Sequence, residues 1–251
     1  MKINLPIIEK MQNGPIIDRR TDSGYNPGIN NTAQEVTTVG LSDEIRYIFI
    51  DMYGVIIAES KGYFIPYTYE HFDEPEYERI TKVFREDKLF GKAQAGELSS
   101  HEFLAALGYP DPEAAMTDYL ENYLTLDAGF RDFAEKAGKR YKLVLLSNDV
   151  SEWSRYLTEF HGMNRYFHDK IVSGDAGIKK PDPGIFALAV SRMECRPEEC
   201  LFIDNSVKNL NAAAELGIRT VLFNRDGVEY EGTTVNSFAE LEELLTGKEA
   251  E

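Results

Sequence analysis

An α/β fold is the architecture this sequence predicts: a Rossmann-like parallel sheet core with an inserted helical cap domain. Three observations lead there. Short β-branched runs, "RYIFID", "YKLVLLSN", "DKIVSGD", "CLFIDN" and "TVLFN", alternate with helical segments, as strands buried on both faces do in a parallel sheet. Four of the runs end in polar residues. The first two are separated by about 85 residues, far beyond an ordinary connection, so a whole subdomain must sit between them.

Taken in order, residues 1–43 are rich in Asn, Gly, Thr and Pro without sustained periodicity and read as an irregular N-terminal extension. The core domain begins at 44–57 with the first strand and resumes over 126–246. Between them, residues 58–125 read as the helical cap domain. Its segment "PEYERITKVFREDKLF" places Ile80, Val83 and Phe84 on one helical face. In "SSHEFLAALG", Ser99 and Glu102 have capping-box spacing and Gly108 closes the helix, while Asp111 and Pro112 open the next one. The aromatic cluster Tyr63, Phe64, Tyr67, Tyr69 and Phe72 is expected to pack the cap's own core rather than wall a substrate.

In the second part of the core, Trp153, Tyr156, Leu157 and Phe160 fall at helical spacing and are expected to be buried. Asp182 and Pro183 start a helix, and "SVKNLNAAAELGI" is a helix closed by Gly217. The stretch "ELEELLTG" reads as a terminal amphipathic helix, with 247–251 as a tail.

Charge narrows the partners. With 27 basic and 43 acidic side chains the net charge is −16, which disfavours nucleic acid and anionic membrane surfaces. No apolar run reaches the roughly 18 residues of a membrane span, so no export or anchoring signal is expected. Cys195 and Cys200, the two cysteines, have neither a disulfide framework nor zinc spacing and suit reduced thiols in a cytoplasm.

Polar residues at the carboxyl ends of neighbouring parallel strands open into one crevice, where ligands bind. Here they are Asp51 with Tyr53 and Gly54, Ser147 with Asn148 and Asp149, Asp175, and Asp204 with Asn205. Lys180 enters from the loop "GDAGIKKPDPG". Carboxylates without His or Cys partners suit a hard cation such as Mg2+, and a lysine with backbone donors suits a phosphoryl group. The combination implies metal-assisted phosphoryl transfer. His71, His101, His161 and His168 lack ligand spacing; His71, Glu59 and Lys61 are the further residues within reach of the crevice.

The motifs "DMYGV", "LLSN", "KKPDPGIF" and "FIDNSVKNLNAAAELGI", in this order at strand ends, resemble the four motifs of the haloacid dehalogenase superfamily over roughly 44–225. The resemblance implies that Asp51 is a nucleophile forming a covalent intermediate on its carboxylate. It implies that Ser147 and Asn148, with the Gly54 turn, hold the transferring group, and that Lys180 neutralises charge on nucleophile and phosphate. Mg2+ would be held by Asp51, the main-chain carbonyl of Tyr53, Asp204 and Asn205.

One position sets this chain apart. Phosphatases of that superfamily carry a second aspartate two residues after the nucleophile, and here Tyr53 stands in its place. A phenol with a pKa near 10 is a poor base at neutral pH, and losing acid–base help costs about 10²–10⁴ in rate. Tyrosine at this position resembles the 2-haloacid dehalogenase branch, from which the chain departs at Val55, Phe186 and Asp204-Asn205-Ser206 through Asn209. The expected activity is therefore a slow Mg2+-dependent phosphatase or phosphotransferase acting on a small organic phosphate. A 2-haloacid dehalogenase, taking a haloacid instead, is the alternative, and a catalytically impaired binding module the second alternative.

Overall fold

The computed structural model describes residues 44–60 and 63–247. The expected N-terminal extension, Lys61 and the tail beyond Gly247 lie outside the described residues. Six strands form one wholly parallel sheet: β1 (Tyr47–Ile50), β2 (Lys142–Ser147), β3 (Phe167–Val172), β4 (Cys200–Asp204), β5 (Arg219–Phe223) and β6 (Thr234–Val235). Their order across the sheet is β3-β2-β1-β4-β5-β6. The five strands expected from the sequence are present. The sixth has two residues, too few to show a period, and is held to β5 by the pairs Leu222↔Thr234 and Phe223↔Val235.

β1 occupies the centre because it is apolar on both faces, and all four of its residues are buried. Ile50 pairs with Leu145 on one side and Ile203 on the other, so β1, β2 and β4 end at nearly one level. From β1 the chain winds outward through β2 to β3, then crosses back to β4. The reversal between β1 and β4 leaves a crevice at their carboxyl ends, and Asp51 and Asp204 stand there.

Five α-helices intervene between β1 and the core helix that precedes β2: α1 (Phe64–Glu70), α2 (Tyr77–Arg85), α3 (Leu89–Ala93), α4 (Ser100–Leu107) and α5 (Pro112–Asn122). After α6 (Phe130–Ala137), the core continues with α7 (Ser151–Phe160), α8 (Ser173–Ala176), α9 (Pro183–Arg192), α10 (Val207–Ala214) and α11 (Phe238–Thr246). The expected caps are in place. Ser99 and Glu102 close a reciprocal capping box on α4, Asp111 accepts from the Ala114 N–H on α5, and Asp182 accepts from the Gly184 N–H on α9. Helix α1 was hidden by Pro66. That proline is third in the helix, where the missing N–H has no partner to lose.

Trp153 on α7 joins the inserted helices to the core. Its ring lies 4.8 Å from Phe64, 5.2 Å from Tyr119, 5.8 Å from Phe90 and 6.2 Å from Phe103, all on inserted helices. The indole N–H donates to Ser100 Oγ at 2.7 Å, and the Ser100 N–H donates to Glu152 Oε1 at 3.2 Å. An aromatic core of this kind gains geometry-specific attraction beyond its buried area. Phe64 and Tyr67 belong to it, as expected, whereas Tyr63 is exposed. On α7 itself the expectation needs correcting. Trp153 and Leu157 are buried, but Phe160, in the last position of the helix, is 50% exposed and stacks at the surface on half-buried Tyr156, 6.0 Å away.

Truncating the ring at this junction removes contacts to four aromatic neighbours at once. Trp153→Ala is expected to lower the unfolding free energy by about 3–5 kcal/mol, measured by urea denaturation. A loss below about 1 kcal/mol would mean that the cluster does not hold the two parts together.

Candidate active site

A cavity of about 220 Å³ opens at the carboxyl ends of β1, β2 and β4. Asp51, Tyr53, Asn148, Asp149, Lys180 and Asn205 line it from the core, with Ser206 and Asn209 at the start of α10. Phe90, Gln94 and Tyr119 line it from the inserted segment, and Trp153 from α7.

At its floor, Lys180 is 3% exposed and spends each of its three N–H donors: on Asp51 Oδ1 at 2.7 Å, Asp204 Oδ2 at 2.8 Å and the Leu146 carbonyl at 2.8 Å. Burial alone would lower its pKa, but Asp204 and Asp51 hold the ammonium above its ordinary value. Asp51 is pushed up to about 7, first by burial; Lys180 opposes the rise and Asp204 adds to it. Burial thus accounts for the rise at Asp51, and the two carboxylates for the rise at Lys180.

The surrounding residues fix this arrangement. Asp204 accepts from the Ser206 N–H at 2.7 Å, and the Asn209 amide reaches both of its oxygens, at 3.1 and 3.2 Å. Asn148 spends both ends of its amide on the backbone of Lys180, donating to its carbonyl and accepting from its N–H, each at 2.7 Å. Gly54 has φ +80°, and a Cβ there would meet the Asn205 amide at 2.1 Å, so glycine both makes the turn and lets Asn205 approach.

Tyr53 points at another carboxylate. Its hydroxyl donates to Asp149 Oδ1 at 3.1 Å, and Asp149 also accepts from Ser154 Oγ at 2.6 Å and the Val150 N–H at 2.9 Å. Burial, then the Asp149 charge, push the phenol well above its ordinary value. Burial likewise pushes Asp149 up to about 7, against the three hydrogen bonds.

Of the residues expected at the crevice, the structure brings Asp51, Tyr53, Asn148, Lys180, Asp204 and Asn205 together. Ser147 and Gly54 lie beside the cavity without lining it; the buried Ser147 hydroxyl has no hydrogen-bond partner. Asp175 does not join them, because the chain turns into α8 after β3 and leaves it exposed. His71 is also elsewhere: its Nδ1 lies 2.8 Å from the Tyr67 carbonyl and its Nε2 3.5 Å from Asp118. Glu59 accepts from the Thr125 N–H and lines a separate open cleft. Gln94 carries no motif; long-range hydrogen bonds place it just after α3, its amide donating to the Asn148 carbonyl at 3.4 Å and its own carbonyl accepting from Ser173 Oγ at 2.6 Å. Asn209 was legible as a motif position, but not as the group that orients Asp204.

Among the described residues no three His, Cys, Asp or Glu side chains gather as a metal seat, and no helix is long and apolar enough to cross a membrane. The donor chemistry nevertheless fits a hard cation. Asp51, the Tyr53 carbonyl and the Asn205 carbonyl offer oxygen alone, and all three residues line the cavity. Asp204 stands behind them, its oxygens shared among Lys180, Ser206 and Asn209.

The raised Asp149 carboxyl has a consequence for stability. A folded-state pKa above the unfolded value near 4 means that the native state holds its proton longer, so stability falls as pH rises from about 4 to about 7. Asp149→Asn removes this slope. Relative to the native chain, the variant is expected to gain about 3–4 kcal/mol between pH 4 and pH 8 in urea titrations. Parallel curves would show that Asp149 ionises freely.

Comparison with known proteins agrees with the motifs. A family model described as haloacid dehalogenase-like hydrolase matches residues 45–217, well over half of the chain. Phosphoserine phosphatase from Thermus thermophilus is 33% identical over 153 residues, 60% of this chain and 55% of that protein. (S)-2-haloacid dehalogenase 4A from Burkholderia cepacia is 32% identical over 111 residues, 42% of this chain and 48% of that protein. The chain thus spans about half the length of these curated relatives. Among solved structures, a haloacid dehalogenase family enzyme from Bacteroides thetaiotaomicron, in complex with magnesium and inorganic phosphate, superimposes with a TM-score of 0.61. It is 22% identical over 74% of this chain and 98% of its own, a likeness of fold. Ordered motifs, sheet order and family model converge: the chain belongs to the haloacid dehalogenase-like hydrolases.

Proposed function

We propose that the chain is a phosphatase or phosphotransferase that takes a small organic phosphate and passes its phosphoryl group through the Asp51 carboxylate, with Mg2+ as cofactor. The observation that carries this reading is the buried Asp51–Lys180–Asp204 row at the cavity floor, a nucleophile held beside a fixed positive charge. The Ser147 hydroxyl, a buried donor without a partner, supports it as a group for a phosphoryl oxygen. The Asn148 amide holds Lys180 in place by its backbone, and residues 58–125 act as the cap that closes over the strand ends and keeps water out.

Asp51 attacks phosphorus and the ester P–O bond breaks, the leaving oxygen taking a proton from water to depart as the alcohol; water, or an acceptor hydroxyl, then takes the phosphoryl group and frees Asp51. Lys180 favours the ionised carboxylate and offsets charge on the transferring group. Asp51, the Tyr53 carbonyl and Asn205 would hold Mg2+, with Asp204 contributing charge from behind Lys180. When bound, the cation supplies the remaining positive charge at the phosphoryl oxygens. Lys180 is the one ammonium beside the carboxyl groups of Asp51, Asp149 and Asp204, so the cation adds positive charge for a phosphate dianion to meet.

Tyr53 makes the enzyme slow. Its proton is directed at Asp149, and a phenol pushed well above its usual range neither takes nor gives a proton readily at neutral pH. Hydrolysis of the phosphorylated Asp51 then proceeds without a positioned base at position 53.

Phosphate release from a panel of phosphate monoesters, with and without EDTA, tests the reading against halide release from 2-haloacids. Phosphate release that is lost in EDTA and in Asp51→Asn is the expected result; metal-independent halide release would reverse it. Absence of both, with a ligand still raising the melting temperature, would point to a binding module. Within the phosphatase reading, Tyr53→Phe should leave the rate within about threefold, and Tyr53→Asp should raise it about 10²-fold or more.

A further inference from the structure

Beyond phosphate itself, the cavity has a chemical preference. Its volume of about 220 Å³ lies below the roughly 300–1,000 Å³ of drug-sized sites, which limits the organic body to a few heavy atoms. Lys180 is the only ammonium or guanidinium among the described lining residues, and its three N–H donors are already committed to Asp51, Asp204 and the Leu146 carbonyl. The Asn148 amide is likewise committed, at both ends, to the Lys180 backbone. The other polar lining groups are mostly acceptors: the Asp149 carboxylate, which accepts from Tyr53, Val150 and Ser154, and the amide oxygens of Gln94, Asn205 and Asn209, whose NH2 groups donate to the Asn148 carbonyl, the Ser60 carbonyl and Asp204. Ser60 donates to Asp226, which leaves the Ser206 hydroxyl and the aromatic faces of Phe90, Tyr119 and Trp153.

A carboxylate accepts hydrogen bonds and gives none, and the negative face of an aromatic ring repels anions. A hydroxyl or ammonium group donates, so it can pair with such a lining; a second carboxylate or phosphate finds no further cation there. Resting on the phosphoryl-transfer reading above, we infer that the substrate's organic body is small, carries hydrogen-bond donors and bears no anion besides the phosphate. A short polyol phosphate or an amino-alcohol phosphate meets that description, whereas a phosphorylated hydroxy acid or a bisphosphate does not. The body lies under Gln94 and Tyr119 of the inserted segment, and these side chains carry the selectivity.

Glycerol 3-phosphate and 3-phosphoglycerate form a matched pair that differs by a hydroxymethyl group against a carboxylate, and O-phosphoethanolamine supplies the cationic arm. At pH 8 with Mg2+, kcat/KM for phosphate release is expected to be at least tenfold higher for glycerol 3-phosphate, for O-phosphoethanolamine or for both than for 3-phosphoglycerate. Equal or better use of 3-phosphoglycerate would overturn the inference. Gln94→Lys adds an ammonium to the lining and should shift the ratio at least tenfold towards 3-phosphoglycerate; an unchanged ratio would also overturn it. Calorimetric titration of the same three esters separates this inference from the reading beneath it. If no ester is hydrolysed, phosphoryl transfer fails. The order of binding constants then still decides the charge preference, and binding of none overturns it.

Discussion

Everything at the strand ends is arranged around one buried ammonium. Taking a lysine out of water costs several kcal/mol, and the cost is offset only where partners are close and every donor is used. Lys180 meets both conditions, with two carboxylates and one carbonyl at hydrogen-bond distance. The sheet order follows from the same need. Only with β1 between β2 and β4 can a single side chain reach Asp51, Asp204 and the Leu146 carbonyl, which belong to three different strand ends. The loop that delivers Lys180 is tied to β2 by Asn148, so the ammonium is fixed at its backbone as well as at its tip.

The same arrangement changes the meaning of the two carboxylates. From residue types alone, Asp51 near Asp204 asks for a metal ion, because like charges in a buried site repel. In the folded chain Lys180 already stands between them and satisfies part of that demand. Asp51, Tyr53 and Asn205 line the cavity, whereas Asp204 does not and keeps its oxygens on Lys180, Ser206 and Asn209.

Much of the fold was legible because its signals are local. Strands β1, β2 and β4 are built on apolar runs, β3 and β5 on shorter ones that follow polar residues, and the caps at Ser99, Asp111 and Asp182 are short-range patterns. What escaped depends on distant neighbours or on elements too short to have a period. β6 has two residues, α1 is masked by its proline, and Phe160 has helical spacing but ends its helix at the surface, beside the rings of Tyr156 and His161. At the site, Asp51, Lys180 and Asp204 could be placed because each follows a strand or enters by a marked loop. Tyr53 could be named, but not its partner: Asp149 lies 96 residues away, and only the pairing of β1 with β2 brings the two together. Asp175 was misplaced for the converse reason. It follows a strand, but a single helical turn carries it out to solvent.

The chain contains one tryptophan, and it occupies a place where three parts of the molecule meet. Trp153 rests on core helix α7, packs among the aromatic rings of the inserted helices and forms part of the cavity wall. Its fluorescence therefore comes from a single buried indole whose N–H is bonded to Ser100 across that junction. Emission wavelength and quenching would report opening of the inserted segment, arrival of a ligand and global unfolding from one position, with no label added. In optical terms, the protein carries its own probe in the wall of its site.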